Sequence, residues 1–404
     1  MGPSLRVLVL DILWRERKDE EVPIVLGGLR LHQKVLEHLN RKVLTIGLTS
    51  HPPVFKHRIT YSVKQDYVKP LRLGFYKYLI RLIINLWRIV LQHKPHVIYN
   101  PGVGWHNDWL AFIAKLTGLK VASYFHHYAL PGGKPIYPKN IFDLPALTRM
   151  CREIKRTNRF PFFKLMDYLV LFSQLRFADV VFTGTSFGLD QLKKLGRRRP
   201  IILTGIGIDL EEFKREPLKS WERIWDGLFV GRMAPEKGIY DLLFIWRRVV
   251  DAIPNAKLAV VGKIIRPYYD KWIKLLKELR LERNVFHLGE VERGELLKTY
   301  YRAKIFVFPS KMEGAGIAIA EAMAAGLVIV AYPLPAYKQL YFNAKSAYFC
   351  NTVEAFSKTI ISLLRDNHRL ERLSSYSREY ALRNFSWENV SKKIYVGITR
   401  DLGK

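Results

Sequence analysis

Short apolar runs separated by amphipathic stretches recur along the whole chain. In the first half, Arg6–Leu10, Val43–Leu48, Val97–Tyr99, Lys120–Phe125, Val180–Thr183 and Ile201–Leu203 read as strands. In the second half the runs fall at Leu228–Val230, Lys257–Val261, Val285–Leu288, Ile305–Phe308 and Val328–Ala331. Continuous runs of this length, rich in β-branched and aromatic residues, suit strands buried on both faces. Helical spacing fills the gaps between them, so strand and helix alternate and each half is expected to hold a parallel sheet. A charged connection containing Pro217 is expected from Thr204 to about Trp225, and Trp387–Leu402 closes the chain with helical periodicity. No internal repeat or low-complexity tract breaks the pattern.

Length and composition add little. With 404 residues and 49% hydrophobic content, two domains of ordinary size can each bury a core. Cys151 and Cys350 lie too far apart in sequence to suggest a metal-ligand pattern or a disulfide framework, and two reduced thiols are expected. The run Leu5–Leu10 is too short for a secretory core and reads as the first buried strand. No apolar run approaches the roughly 18 residues of a spanning helix. A body facing the cytosol is therefore expected.

Charge changes the picture more. Lys and Arg number 66 against 36 Asp and Glu, a net charge of +30. Residues 1–200 hold 33 basic and 13 acidic side chains, so the first half carries +20 of that excess. Such a field attracts polyanions or an anionic membrane surface. No zinc-finger, RRM or KH signature supports nucleic acid.

The chemistry concentrates in two turns. The stretch from Pro309 to Gly326 sets Glu313 and Glu321 eight positions apart, with Gly314, Ala315 and Gly316 after the first and a small-residue helix around the second. A strand, a glycine-rich turn and a helix start make an anion cradle, because the first helical N–H groups are unpaired and carry partial positive charge. Each glutamate can accept hydrogen bonds from sugar hydroxyls. Upstream, Leu228–Val230 leads into Gly231-Arg232-Met233-Ala234-Pro235-Glu236-Lys237-Gly238. Arg232 and Lys237 flank a turn at a strand's C-terminal end, where open α/β sheets bind ligands, and a guanidinium with an ammonium suits a diphosphate.

Together these turns resemble the retaining glycosyltransferases of the GT-B fold known as family 4, or glycosyl transferases group 1. Ser310 to Gly326 matches the family's S-x-x-E-G-x-G-x-x-x-x-E-A-M-A-x-G setting, and Gly231 to Gly238 its G-R-x-x-x-x-K-G turn. Gly27-Gly28 with His32, the Lys94–Tyr99 strand, Arg176–Phe182 and Gly205–Asp209 are similar to further family segments. The resemblance implies two Rossmann-like domains facing across a cleft. They would be residues 1–205 for the acceptor and 206–385 for the nucleotide sugar, with 386–404 crossing back as a helix.

It also implies roles. Arg232 and Lys237 would bind the diphosphate, and the backbone of Gly314, Ala315 and Gly316 would add N–H donors. Glu321 would accept the ribose hydroxyls. Glu313 would hold hydroxyls of the transferred sugar, the other reading being a helix-capping carboxylate beside Ser310. His126 matches a family histidine that contacts the donor sugar, and Gly27 and Gly28 would let the first loop approach the ligand. Retention through a front-face reaction is implied, with the donor as a substrate and no cofactor. No D-x-D pair suggests a metal. Two departures stand out: Pro333–Lys338 replaces the family's G-G-x-x-E segment, and Ala315 replaces the usual Phe.

The acceptor is expected to be a lipid-linked glycan or glycolipid at the inner membrane face. The alternatives are a soluble enzyme making a disaccharide or polysaccharide, and a non-catalytic nucleotide-sugar-binding protein. Two segments bear on this. On a helix from Phe75 to Val90, Lys77, Arg81 and Arg88 share one face and Leu79, Leu82, Ile83, Leu86, Trp87, Ile89 and Val90 the other, which suits either a lipid interface or packing on the sheet. Arg149–Phe177 mixes basic residues with Phe160, Phe162 and Phe163, and Lys193, Lys194 and Arg197–Arg199 add charge at a helix end.

Overall fold

The computed structural model describes residues 5–11, 44–51, 58–64, 73–101, 105–125, 176–194, 196–263 and 266–402, with single positions between 33 and 40. These residues group into two compact units, one ending at Gly205 and regained from Trp387, the other spanning Ile206–Ser386.

The first unit is built on a seven-stranded sheet. Its strands are β1 (Arg6–Asp11), β2 (Leu44–His51), β3 (Ile59–Lys64), β4 (Val97–Asn100), β5 (Val121–Phe125), β6 (Val180–Thr183) and β7 (Ile201–Leu203), in the order β3-β2-β1-β4-β5-β6-β7. Every pairing is parallel. Strand alternation divides the apolar side chains between two cores. Leu8 and Leu10 join Ile46, Leu48 and Ile98 under two helices, α1 (Leu73–His93) and α2 (Trp105–Leu116). Val7 and Val9 face the opposite way, with Tyr99, Ala122 and Phe182.

That second core is closed by the C-terminal helix. Trp387, Val390, Ile394 and Ile398, spaced at three or four residues, pack against it from Trp387–Leu402. Each such side chain is worth about 1.5–3 kcal/mol when fully buried.

Helix α1 is two-sided. Tyr78, Leu82, Leu86 and Ile89 are fully buried on the sheet, while Ile80, Ile84 and Leu91 are 55%, 54% and 74% exposed. At 100° per residue, Ile80, Ile84, Trp87 and Leu91 share a stripe about 60° wide. Exposed Arg81 and Arg88 run along its edge. The face expected to be apolar thus serves the core, and the outer face carries aliphatics that the sequence pattern left unplaced. The side chains of Lys77 and Leu79, and all of 149–175, lie outside the described residues.

Asp179, in the segment similar to the family's R-A-D, is a staple at the start of β6. Lys115 Nζ lies 2.7 Å from each of its oxygens, the Val121 N–H donates at 2.8 Å, and Arg199 pairs with it as well. Arg197 is buried and donates to the carbonyls of Arg176, Asp179 and Pro200. These basic residues are structural ties, which a helix-dipole argument alone did not anticipate.

The second unit carries a six-stranded parallel sheet in the order β10-β9-β8-β11-β12-β13. Its strands are β8 (Trp225–Val230), β9 (Leu258–Val261), β10 (Val285–Gly289), β11 (Ala303–Phe308), β12 (Val328–Ala331) and β13 (Ala347–Phe349). Helix α3 (Ser186–Lys194) belongs to the first unit, and α4 (Ile239–Ala252), α5 (Arg266–Glu278), α6 (Arg293–Tyr301), α7 (Ile317–Ala324), α8 (Val353–Leu364) and α9 (Asn367–Asn384) to the second; α10 (Trp387–Leu402) ends the chain. Two strands were not expected, β3 and β13. Both are edge strands: β3 mixes polar with apolar residues, and β13 is a short run, Ala347–Phe349, that lies outside the expected strands.

The expected connection carries structure of its own. Leu210–Phe213 and Ser220–Glu222 form 3-10 turns, and buried Arg223 donates to the carbonyls of Ala303 and Gly326, both at 3.0 Å, and to Ser374 Oγ at 2.8 Å. A guanidinium that satisfies three partners on β11, the end of α7 and α9 fixes this segment to the second unit.

Candidate functional site

The C-terminal ends of β8 and β11, adjacent strands of the second sheet, bring the two predicted turns together. After β8 the chain makes a 3-10 turn, Pro235–Lys237, and enters α4 through Gly238 at φ 72°. A Cβ on Gly238 would stand 1.9 Å from the Pro309 carbonyl oxygen, so only glycine permits this approach. Two further contacts stitch the turns: the Lys311 N–H donates to the Glu236 carbonyl at 2.9 Å, and Lys237 Nζ to that of Met312 at 3.4 Å.

Lys237 and Glu313 form the centre of the arrangement. Lys237 Nζ lies 2.5 Å from Glu313 Oε1, and Ser310 Oγ donates to the same oxygen at 3.0 Å. The side chains retain 19% and 12% of their exposure, enough contact with solvent for a ligand to reach them and little enough for strong electrostatics. Glu313 does not cap the following helix, since Gly316 occupies the N-cap position. The capping reading of Glu313 is therefore set aside.

The loop Gly314–Gly316 then turns into α7. Gly316 sits at φ 65°, and a Cβ there would lie 2.9 Å from the Tyr337 ring. Fully buried Tyr341 donates to the carbonyls of Ala315 and Gly316 at 3.0 and 2.9 Å. In a trans peptide the N–H opposes the C=O, so this contact turns the N–H groups of Gly316 and Ile317 away from Tyr341. Burial first, then the Glu313 charge, pushes the Tyr341 phenol well above its ordinary range, which keeps it a donor. Tyr337 lies in Pro333–Lys338, where the sequence departs from the family pattern, and Tyr341 follows three residues after that segment. The two rings meet edge to face with centroids 5.6 Å apart.

Glu321 projects from α7 with 14% of its side chain exposed. Arg293 Nη2 meets its Oε1 at 2.7 Å, and Tyr300 Oη donates to its Oε2 at 3.2 Å. The same guanidinium reaches Glu212 Oε2 at 2.5 Å. Glu212, Arg293, Tyr300 and Tyr341 are site residues that sequence reasoning missed. They lie on three separate segments, with Arg293 and Tyr300 sharing α6, and no spacing in one sequence could join them to Glu321.

Arg232 stands apart. Its side chain is 59% exposed and pairs with Glu236 at 2.6 Å, four residues on. It is available at the turn but is not drawn into the Lys237–Glu313 contact. Gly27, Gly28, His32 and His126 lie outside the described residues, as does Cys151. Cys350 is a buried free thiol. Among the described residues, no group of three or more His, Cys, Asp or Glu is gathered as for a metal ion.

Known proteins show the same arrangement of elements. Residues 211–380 match the model of the family described as glycosyl transferases group 1. A glycogen synthase of Mycobacterium tuberculosis is 26% identical over 166 residues, covering 41% of this chain and 40% of that protein. The O-antigen chain mannosyltransferase B of Escherichia coli is 26% identical over 230 residues, covering 54% of this chain and 60% of the other. The chain thus spans about half the length of these curated relatives. Among solved structures, Anabaena HepE in complex with UDP superposes with a TM-score of 0.72 at 14% identity, over 98% of this chain and 100% of that one. At that identity the likeness speaks for the fold, which is of the two-sheet GT-B kind. The segment 211–380, which holds Arg232, Lys237, Glu313 and Glu321, is a glycosyl transferases group 1 domain.

Proposed function

We propose that the protein is a retaining glycosyltransferase that moves a sugar from a nucleoside-diphosphate sugar to an acceptor. The observation that carries this reading is the Lys237–Glu313 contact, set between the ends of two neighbouring strands and beside the start of α7. An ammonium and outward N–H groups at one point favour a diphosphate whose negative charge grows as the anomeric C–O bond breaks. Arg232 exchanges Glu236 for the same phosphates. Glu313, released in part from Lys237 as phosphate arrives, accepts hydroxyls of the sugar and offsets positive charge on the ring. Glu321 takes the ribose. The family resemblance assigns His126, Gly27 and Gly28 to the donor as well, and the leaving phosphate accepts the acceptor's proton. The reaction needs no cofactor and no metal in this scheme. The UDP held by Anabaena HepE supports a nucleotide donor of this class.

Transfer assays with UDP-, GDP- and ADP-sugars test it. Lys237→Met is expected to lose about 100-fold or more in kcat, the scale of one transition-state donor. Near wild-type turnover in that variant would show the diphosphate to be bound elsewhere.

For the acceptor, we favour a lipid-linked glycan or glycolipid at the cytoplasmic face of an anionic membrane. The outer stripe of α1 supports it: three strongly exposed aliphatics edged by Arg81 and Arg88, in the half of the chain with a net charge of +20. Among the described residues no helix is long and apolar enough to cross a membrane. Sedimentation with anionic and neutral vesicles is the test. Salt-sensitive capture by anionic vesicles that Ile84→Asp abolishes is expected. Absence of capture would turn the search to soluble acceptors.

A further inference from the structure

Arg293 is placed against local preference. It is the first residue of α6, where the helix dipole favours anions and a cation is mildly unfavourable. Its guanidinium is nonetheless largely buried, with 17% of the side chain exposed, between two carboxylates from distant segments. Nη2 lies 2.5 Å from Glu212 Oε2 and 2.7 Å from Glu321 Oε1, and Nε reaches Glu212 Oε2 at 3.1 Å. Two carboxylates on one nitrogen are no more than about 5 Å apart, a separation at which like charges repel unless a cation stands between them. Tyr300 fixes the second oxygen of Glu321 at 3.2 Å. Burial and the neighbouring carboxylate push that phenol well above its ordinary range, so it remains the donor.

The consequence for Glu321 is geometric. Each carboxylate oxygen has two acceptor positions, and among the described residues each is engaged once, by Arg293 or by Tyr300. One position per oxygen remains, and its direction is set by the two partners. Two acceptor positions on a rigid carboxylate match a vicinal diol.

We propose that Arg293 is a positioning residue for donor recognition, holding Glu321 so that its remaining lone pairs meet the 2′- and 3′-hydroxyls of the nucleotide ribose, with Glu212 anchoring the guanidinium from the far side. This rests on the reading of Glu321 as the ribose acceptor. Arg293 touches no substrate and acts through Glu321 alone. A lysine cannot reproduce the role in full, because a point charge lacks the second nitrogen, Nε, with which the guanidinium also holds Glu212 while Nη2 meets Glu321.

Calorimetry on the full chain tests the idea. UDP, GDP and ADP are titrated to find the tightest, and that nucleotide is compared with its 2′,3′-dideoxy counterpart. The wild type is expected to prefer the ribonucleotide by about tenfold or more, as charge-assisted hydrogen bonds allow. Arg293→Gln is expected to bring that preference close to unity by weakening the ribonucleotide, leaving the dideoxy form within about twofold. Equal weakening of both, or an undiminished preference, overturns the positioning role while leaving Glu321 as the ribose acceptor. A wild type with no preference for ribose removes the Glu321 reading and the proposal with it. Should Arg293→Gln fail to fold, Arg293→Lys must lower the preference at least about threefold, and an unchanged preference there overturns the role equally.

Discussion

Lys237 and Glu313 illustrate how a single contact serves two states. Without ligand each neutralises the other in a site with little solvent, and removing one partner leaves a largely buried charge unpaired. Glu313→Gln should therefore lower both turnover and thermal stability, whereas the double change Lys237→Met with Glu313→Gln should recover stability and not turnover. Melting curves beside transfer assays separate the two effects. Tyr337 gives the opposite case. Its hydroxyl is buried beside the Gly316 turn and finds no hydrogen-bond partner among the described residues, and an unpaired buried hydroxyl costs roughly 1–3 kcal/mol. Tyr337→Phe is expected to raise the stability of the ligand-free protein by about 1 kcal/mol. A drop in melting temperature would mean that the hydroxyl has a partner after all. Gly238→Ala meets both a positive φ and the Pro309 carbonyl, and should cost at least about 2 kcal/mol.

Among the elements, the strands were the most legible and the helix faces the least. β4, β5, β6, β9 and β12 are buried along their whole length, and their continuous apolar runs announce it. β13 has three residues, all half-buried, too short a run to stand out from its surroundings. Periodicity located α1 but could not say which apolar residues face the sheet, because both sides of that helix carry aliphatics. Asp179 belongs to this scale, since it ties α2, β5 and the β7 approach to the head of β6. Burial tends to raise its carboxyl pKa, but the Lys115 hydrogen bond, the Val121 N–H and the charges of Lys115 and Arg199 win and hold it below the ordinary value. A carboxyl depressed on folding stabilises fully above its unfolded pKa, and that stability is lost as pH falls through the folded one. Asp179→Asn should therefore melt lower at pH 7, with the gap to wild type closing as pH falls below about 4. A gap unchanged down to pH 2.5 would contradict the staple.

For the whole molecule, the C-terminal helix is the element with the largest reach in sequence. It closes a core whose other members begin at Val7, so the first unit cannot be completed until residues 387–398 are made. Ending the chain before Trp387 should expose that core. The truncated protein is expected to lose cooperative melting and protection from protease in the first unit, while residues 206–386 keep theirs. Cooperative unfolding of both units in the truncated protein would show α10 to be dispensable.

The sequence alone determined the alternation of strands and helices, the two glycine-containing turns and the placing of Lys237, Glu313 and Glu321 in or beside them. These are local matters: apolar runs, turn residues and charged side chains at fixed spacing within a few residues. Tertiary structure alone decided that Lys237 grips Glu313, that Arg232 turns to Glu236, and that Arg293 spans Glu212 and Glu321. Those pairings join residues 76, 81 and 28 positions apart, apart from the local Arg232 pair. Parallel strands bring such residues together only after each crossover helix has packed. A charged side chain declares in sequence that it can form an ion pair; the fold chooses with which partner.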